Sequence, residues 1–192
     1  MDAKIVLASS SPRRADLLKQ AGLVFDIMVS AVDETPDPGL APDELVELLA
    51  LRKANAVAAG LNNGLVIGAD TVVVQAGRIL GKPSGPQEAA AMLRLLQGSG
   101  HEVYTGVALM DAASRETLVG HELTRVFFNS LTEEEISRYV ATGEPLDKAG
   151  AYGVQGLAAL FIYRLEGCYT NVVGLPLARL ARMLKQIGYE VL

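Results

Sequence analysis

The hydrophobic pattern of the chain centres on Val66-Ile67-Gly68-Ala69-Asp70-Thr71-Val72-Val73-Val74, an apolar run broken by one acid. β-Branched residues on both sides of Asp70 favour extended backbone. Apolar residues in succession predict a strand covered on both faces. A carboxylate in such a place costs several kcal/mol, roughly, unless a cation, a metal or hydrogen bonds compensate it. Gly68 and Ala69 leave room beside it for a ligand or another backbone. Asp70 is therefore either a structural acid at a strand end or a working carboxylate, and the rest of the pattern has to decide.

Upstream, residues 5–8 read as a short buried strand and residues 24–29 as a second. Between them Ser11 fits an N-cap, Pro12 the first helical position and Gly22 the stop. Residues 42–59 predict a long helix closed by Gly60, with Leu45, Val46, Leu49, Ala56 and Val57 as its apolar face. Lys53 falls in the middle of that face, where it either snorkels to the edge or projects into a pocket for anions. Downstream, Ala76-Gly77 turns the chain, a helix opens at Ser84 and Pro86 and stops at Gly98, and residues 101–110 and 117–128 read as an antiparallel pair. Thr132 and Glu135 form a capping box. Residues 144–156 hold three glycines close to Asp147, Lys148, Tyr152 and Gln155, either a loop shaped around a ligand or a long connection. Residues 157–165 and 168–173 are expected to form a hairpin, and residues 176–187 the last helix.

Composition narrows the class. With 192 residues, half of them hydrophobic, the chain suits a single domain, 1–192, or one core in two lobes. Its net charge of −5 speaks against a nucleic-acid or anionic-membrane binder, though not against a local basic pocket. The single cysteine, Cys168, forms no intrachain disulfide and reads as a small hydrophobe on a strand. No run of about 20 apolar residues offers a membrane span, and no signal-peptide core is evident, so a soluble cytoplasmic protein is expected. His101 and His121 stand alone without metal-ligand spacing and read as surface residues on strand edges. Gly77 to Lys82 is one residue short of a P-loop, and Pro83 replaces its hydroxyl residue.

Charge placement carries the chemistry. Arg13 and Arg14 sit in the first turn of a helix, where cations are mildly unfavourable and a bound anion would remove the conflict. Lys53, Lys82 and Lys148 add further cations, while Asp33, Glu34, Asp70 and Asp147 supply acids. Cations stabilise a polyphosphate, and carboxylates hold a divalent ion and orient water. The residues alone therefore point to a metal-dependent phosphate-ester enzyme.

The strings Leu7-Ala8-Ser9-Ser10-Ser11-Pro12-Arg13-Arg14, Ile67-Gly68-Ala69-Asp70-Thr71, Gly81-Lys82-Pro83, 147–156 and Val172-Val173-Gly174-Leu175-Pro176 together resemble the Maf family, in order and almost end to end. The resemblance implies an α/β fold of inosine-triphosphatase-like type, a mixed sheet flanked by helices in two lobes around a central cleft. It implies a nucleoside triphosphate pyrophosphatase releasing a monophosphate and diphosphate, with Asp70 as general base. Arg13, Thr71 and Gln155 would discriminate the substrate, and Ser9, Arg14, Lys53, Lys82, Asp147 and Lys148 would bind it. Glu34 and Asp70 would hold a divalent cation, Mg or Mn. The string at 149–156 is similar to the branch acting on dTTP and UTP. The family is also linked to division arrest and to removal of modified nucleotides. The expected partner is a small nucleoside triphosphate, with a homodimer as one option. A non-catalytic nucleotide sensor acting on division proteins is the alternative.

Overall fold

Seven strands and six α-helices form among the described residues of this computed structural model, 4–29, 31–33 and 39–191. Strands β1 (Ile5–Leu7), β2 (Phe25–Ile27), β3 (Leu65–Gln75), β4 (Arg78–Leu80), β5 (Gly100–Asp111), β6 (Thr117–Phe128) and β7 (Ile162–Glu166) form one sheet in the order β2-β1-β3-β5-β6-β7, with β4 paired to β3. β1 runs parallel to β2 and β3, whereas β4 is antiparallel to β3 and β7 to β6. The sheet is mixed, as expected. The helices are α1 (Pro12–Gln20), α2 (Pro42–Ala58), α3 (Pro86–Leu96), α4 (Glu133–Ala141), α5 (Tyr169–Val173) and α6 (Leu177–Gln186). None is long and apolar enough to cross a membrane.

The chain divides into two compact units, the first Met1–Asp70, Thr105–Glu122 and Gly174–Leu192, the second Thr71–Tyr104 and Leu123–Val173. In the first unit α2 lies directly on the strands. A Cβ at Gly68 would sit 2.1 Å from the carbonyl oxygen of Ala50, and one at Gly106 2.2 Å from that of Val46. No side chain fits at either position, so two glycines let the helix backbone touch the sheet. The room beside Asp70 is taken by α2, not by open space. Ala50, Ala54, Val57 and Ala58 are the small buried residues at this contact, packed with Val6, Ala8, Val66, Ala108 and Met110. Ala56, expected on the apolar face, is exposed. The close approach selects the phase of the helix through Ala50 and Ala54 instead, and Lys53 lies on that buried stripe.

In the second unit Val73, Leu80, Met92, Leu93, Leu96, Val103, Val126, Phe128, Ile136 and Tyr139 form the core. The capping box of α4 is present as read: the Thr132 hydroxyl accepts from the Glu135 N–H at 3.2 Å, and Glu135 accepts from the Thr132 N–H at 2.7 Å. The expected hairpin after residue 157 is not. Leu157–Leu160 is a 3₁₀ turn, Ile162–Glu166 is the strand, and Tyr169–Val173 is a short helix. Asn171, fully buried, donates to the Val103 carbonyl at 3.0 Å and to the Thr124 hydroxyl at 2.9 Å. A buried amide needs such partners, and they override the β-branched composition of the segment. Cys168 accordingly lies ahead of a helix, half-buried, not on a strand. His101 is buried in the core, contrary to its reading as a surface residue, because it shares the inward phase of β5 with Val103 and Thr105. His121 is half-buried and its Nδ1 meets Glu47 at 2.8 Å.

Candidate active site

Asp70 ends the first unit's part of β3 and is 9% exposed. Its carboxylate is compensated by one cation: Lys53 Nζ, itself 5% exposed, donates to Asp70 Oδ1 at 2.6 Å. Lysine 53 therefore does not snorkel. Helix α2 aims it inward because Gly68 admits the helix backbone, so a glycine two residues upstream determines where the acid finds its partner. Two charges taken out of water are retained only with good geometry, and the pair is a poor investment for stability alone. The placement of Asp70 on β3, a strand with no other charged residue, marks the pair as a candidate for chemistry.

The loop from β1 into α1 is the second feature of this unit. Ser11 occupies the N-cap with Pro12 behind it, and no acid stands in the first turn. Ser9, buried, accepts from the Ser11 N–H at 3.2 Å and from the Arg14 guanidinium at 3.1 Å. Arg14 also donates from Nε to the Gly174 carbonyl at 2.8 Å. The loop is thus braced against residue 174, far along the chain. Arg13, in the same first turn, is half-buried.

The second unit carries the other expected residues. Thr71, half-buried, follows Asp70 directly in β3, and Lys82 is exposed just after β4. The 144–157 segment is ordered by its own hydrogen bonds. Lys148 Nζ donates to Asp147 Oδ1 and to the Glu144 carbonyl, each at 2.6 Å. Gly150, at φ 68°, gives its N–H to the Gly81 carbonyl at 3.0 Å, which ties the segment to the residue beside Lys82. Ala151 is also left-handed at φ 60°, a strained setting for a residue with a Cβ, and it is fully buried. Tyr152 is buried and its hydroxyl meets His101 Nε2 at 2.8 Å, with Phe128 edge-on to both rings. Its role is in the core. Burial lowers the His101 pKa to about 4 and raises that of Tyr152, so both are neutral near pH 7. Val154 points inward and Gln155 outward.

The structure therefore brings together Lys53 with Asp70, Ser9 with Arg14, and Asp147 with Lys148. Glu34 lies outside the described residues, and among the described residues no three His, Cys, Asp or Glu side chains gather to hold a metal. Glu144 is the participant that sequence reasoning passes over. Its carboxylate accepts from the Tyr139 hydroxyl at 2.9 Å and from the Leu157 N–H at 3.0 Å.

Comparison with known proteins follows the same lines. The chain is 71% identical to the dTTP/UTP pyrophosphatase of Pelotomaculum thermopropionicum over 98% of its own length and 99% of the relative's. It is 53% identical to the dTTP/UTP pyrophosphatase of Desulforamulus reducens over 97% and 98% of the two chains. Among solved structures it is similar to the Staphylococcus aureus Ham1 protein, with a TM-score of 0.52 and 18% identity over 96% of this chain and 99% of that one. That likeness bears out the expected mixed α/β fold. The Maf-like protein family matches residues 4–187, and with these relatives it establishes that the chain belongs to the Maf family.

Proposed function

We propose that this protein hydrolyses dTTP and UTP to the nucleoside monophosphate and diphosphate. The observation that carries the reading is the buried Lys53–Asp70 pair, a carboxylate held in a set position at the edge of an apolar core. Water attacks the α-phosphorus and gives its proton to Asp70. The bond from the α-phosphorus to the bridging oxygen breaks, and diphosphate leaves. Lys53 fixes Oδ1, so the second carboxylate oxygen takes the proton. In the first unit Ser9, Arg13 and Arg14 are the candidates for phosphate contact; in the second Lys82 and Lys148 are, with Asp147 holding the Lys148 ammonium. Asp70 and Glu34 are the carboxylates that would hold a Mg²⁺ or Mn²⁺ ion, a hard cation suited to oxygen ligands. Such an ion would neutralise charge on the phosphates.

The names carried by the relatives support the choice of pyrimidine substrates. Uracil and thymine present a carbonyl and a ring N–H side by side, and the Gln155 amide both donates and accepts. Cytosine reverses part of that pattern. The test is a panel of the common nucleoside triphosphates with released diphosphate measured. dTTP and UTP should lead the panel, and Asp70→Asn should be inactive on all. Binding of UTP without any turnover would favour a nucleotide sensor and overturn the enzyme reading. Equal rates with GTP and UTP would remove the pyrimidine assignment alone.

A further inference from the structure

The loop bearing Gln155 is closed by one carboxylate. Glu144 Oε2 accepts from the Leu157 N–H at 3.0 Å, thirteen residues along the chain. Its Oε1 accepts from the hydroxyl of Tyr139, a buried residue of α4, at 2.9 Å. Gly156 packs against the same carboxylate so closely that a Cβ there would lie 2.2 Å from Oε1. One residue earlier stands Gln155, exposed between buried Val154 and that contact. At the other side of the loop the Glu144 carbonyl accepts from Lys148 Nζ, whose stem crowds Gly153: a Cβ there would be 2.7 Å from Lys148 Cε. The two glycines flanking the Val154-Gln155 pair thus both rest on groups that Glu144 organises.

We infer that Glu144 is a positioning residue for base selection, holding the Gly156-Leu157 peptide so that the Gln155 amide presents a set orientation. The inference rests on the reading of Gln155 as the base-selective residue. Tyr139 fixes the carboxylate from the α4 side, and burial together with the Glu144 hydrogen bond raises the phenol's pKa, which keeps it a donor. Base selection by an amide needs angular control of a side chain with three rotatable bonds. An exposed glutamine on a loose loop would lack that control. Glu144 supplies it without touching the nucleotide.

The experiment compares kcat/KM for UTP and GTP in Glu144→Ala, Glu144→Gln, Gln155→Ala and the Glu144→Ala/Gln155→Ala double variant, with amide exchange of Leu157 followed alongside. Glu144→Ala should lower the UTP-over-GTP ratio roughly tenfold, the scale of one orienting hydrogen bond, and speed Leu157 exchange. Glu144→Gln keeps an acceptor for that N–H and should restore both. The double variant should be no less selective than Gln155→Ala, since both changes remove one function. Tyr139→Phe, which leaves the carboxylate in place, serves as the milder second variant and should lose part of the ratio. An unchanged ratio in Glu144→Ala with accelerated Leu157 exchange would overturn the inference, as would losses that multiply in the double variant. An unchanged ratio in Gln155→Ala would instead overturn the base-reading assignment beneath it.

Discussion

At the scale of single residues, the account turns on how buried charge and buried imidazole are compensated. Lys53→Ala leaves Asp70 buried without its cation, which should cost roughly 3–5 kcal/mol in urea unfolding as well as activity. A stability change within a few tenths of a kcal/mol would mean that the carboxylate is solvated in another way. Asp70→Asn should lower kcat by roughly 10²–10⁴-fold with the fold preserved, the range of lost general-base help. His101 supplies a pH dependence. Burial lowers its pKa from 6.5 to about 4 in the folded protein, and its Nδ1 has no hydrogen-bond partner among the described residues. Below pH 6.5 the unfolded chain therefore takes up a proton that the folded chain refuses until pH about 4. This contribution to stability is complete above pH 6.5 and is lost as pH falls toward 4, by up to about 3 kcal/mol. His101→Gln should flatten the difference in urea unfolding between pH 7 and pH 5 relative to the unmodified protein. Asp70 was legible in the sequence as an acid in an apolar run. Its partner was only half legible, because spacing put Lys53 on the buried face without saying which way it would reach. For His101 the residue type suggests a strand edge, whereas its phase with Val103 on β5 puts it inside.

At the scale of elements, the chemistry depends on how closely α2 approaches the strands. Gly68→Ala would bring a Cβ to 2.1 Å from the Ala50 carbonyl oxygen, so the helix must move. Overpacking of this kind costs typically 1–3 kcal/mol. It should also draw Lys53 away from Asp70, so kcat should fall although no charged group has been changed. Melting and steady-state rates on the same sample read both effects, and normal kcat in Gly68→Ala would show that α2 does not set the geometry of the pair. Local signals found α1, α4 and the long strands well, since Pro12, Gly22 and the Thr132–Glu135 box act within a few residues. They failed over 157–173. There the decisive bonds run from Asn171 to Val103 and Thr124, and from the Cys168 N–H to Thr124 at 3.0 Å, across the sequence. No window of neighbouring residues contains that information.

At the scale of the whole molecule, each compact unit carries its own part of the assignment. The first holds the Lys53–Asp70 pair and the braced loop at Ser9 and Arg14; the second holds the clamped segment with Gln155. Asp70 and Thr71 are neighbours in β3, so the residue assigned to proton transfer is joined by one peptide bond to a residue assigned to substrate discrimination. Family membership was legible from five separated strings, because glycines, charges and hydroxyls recur there in a fixed order. The clamp at Glu144 was not, because a glutamate after glycine has no distinguishing neighbours in the sequence. The central claim is which bond is broken and from which side. Hydrolysis of UTP in ¹⁸O-labelled water, with products separated and weighed, tests it directly. The account predicts one labelled oxygen in the monophosphate and unlabelled diphosphate. Label in a released single phosphate, with UDP as the other product, would contradict it.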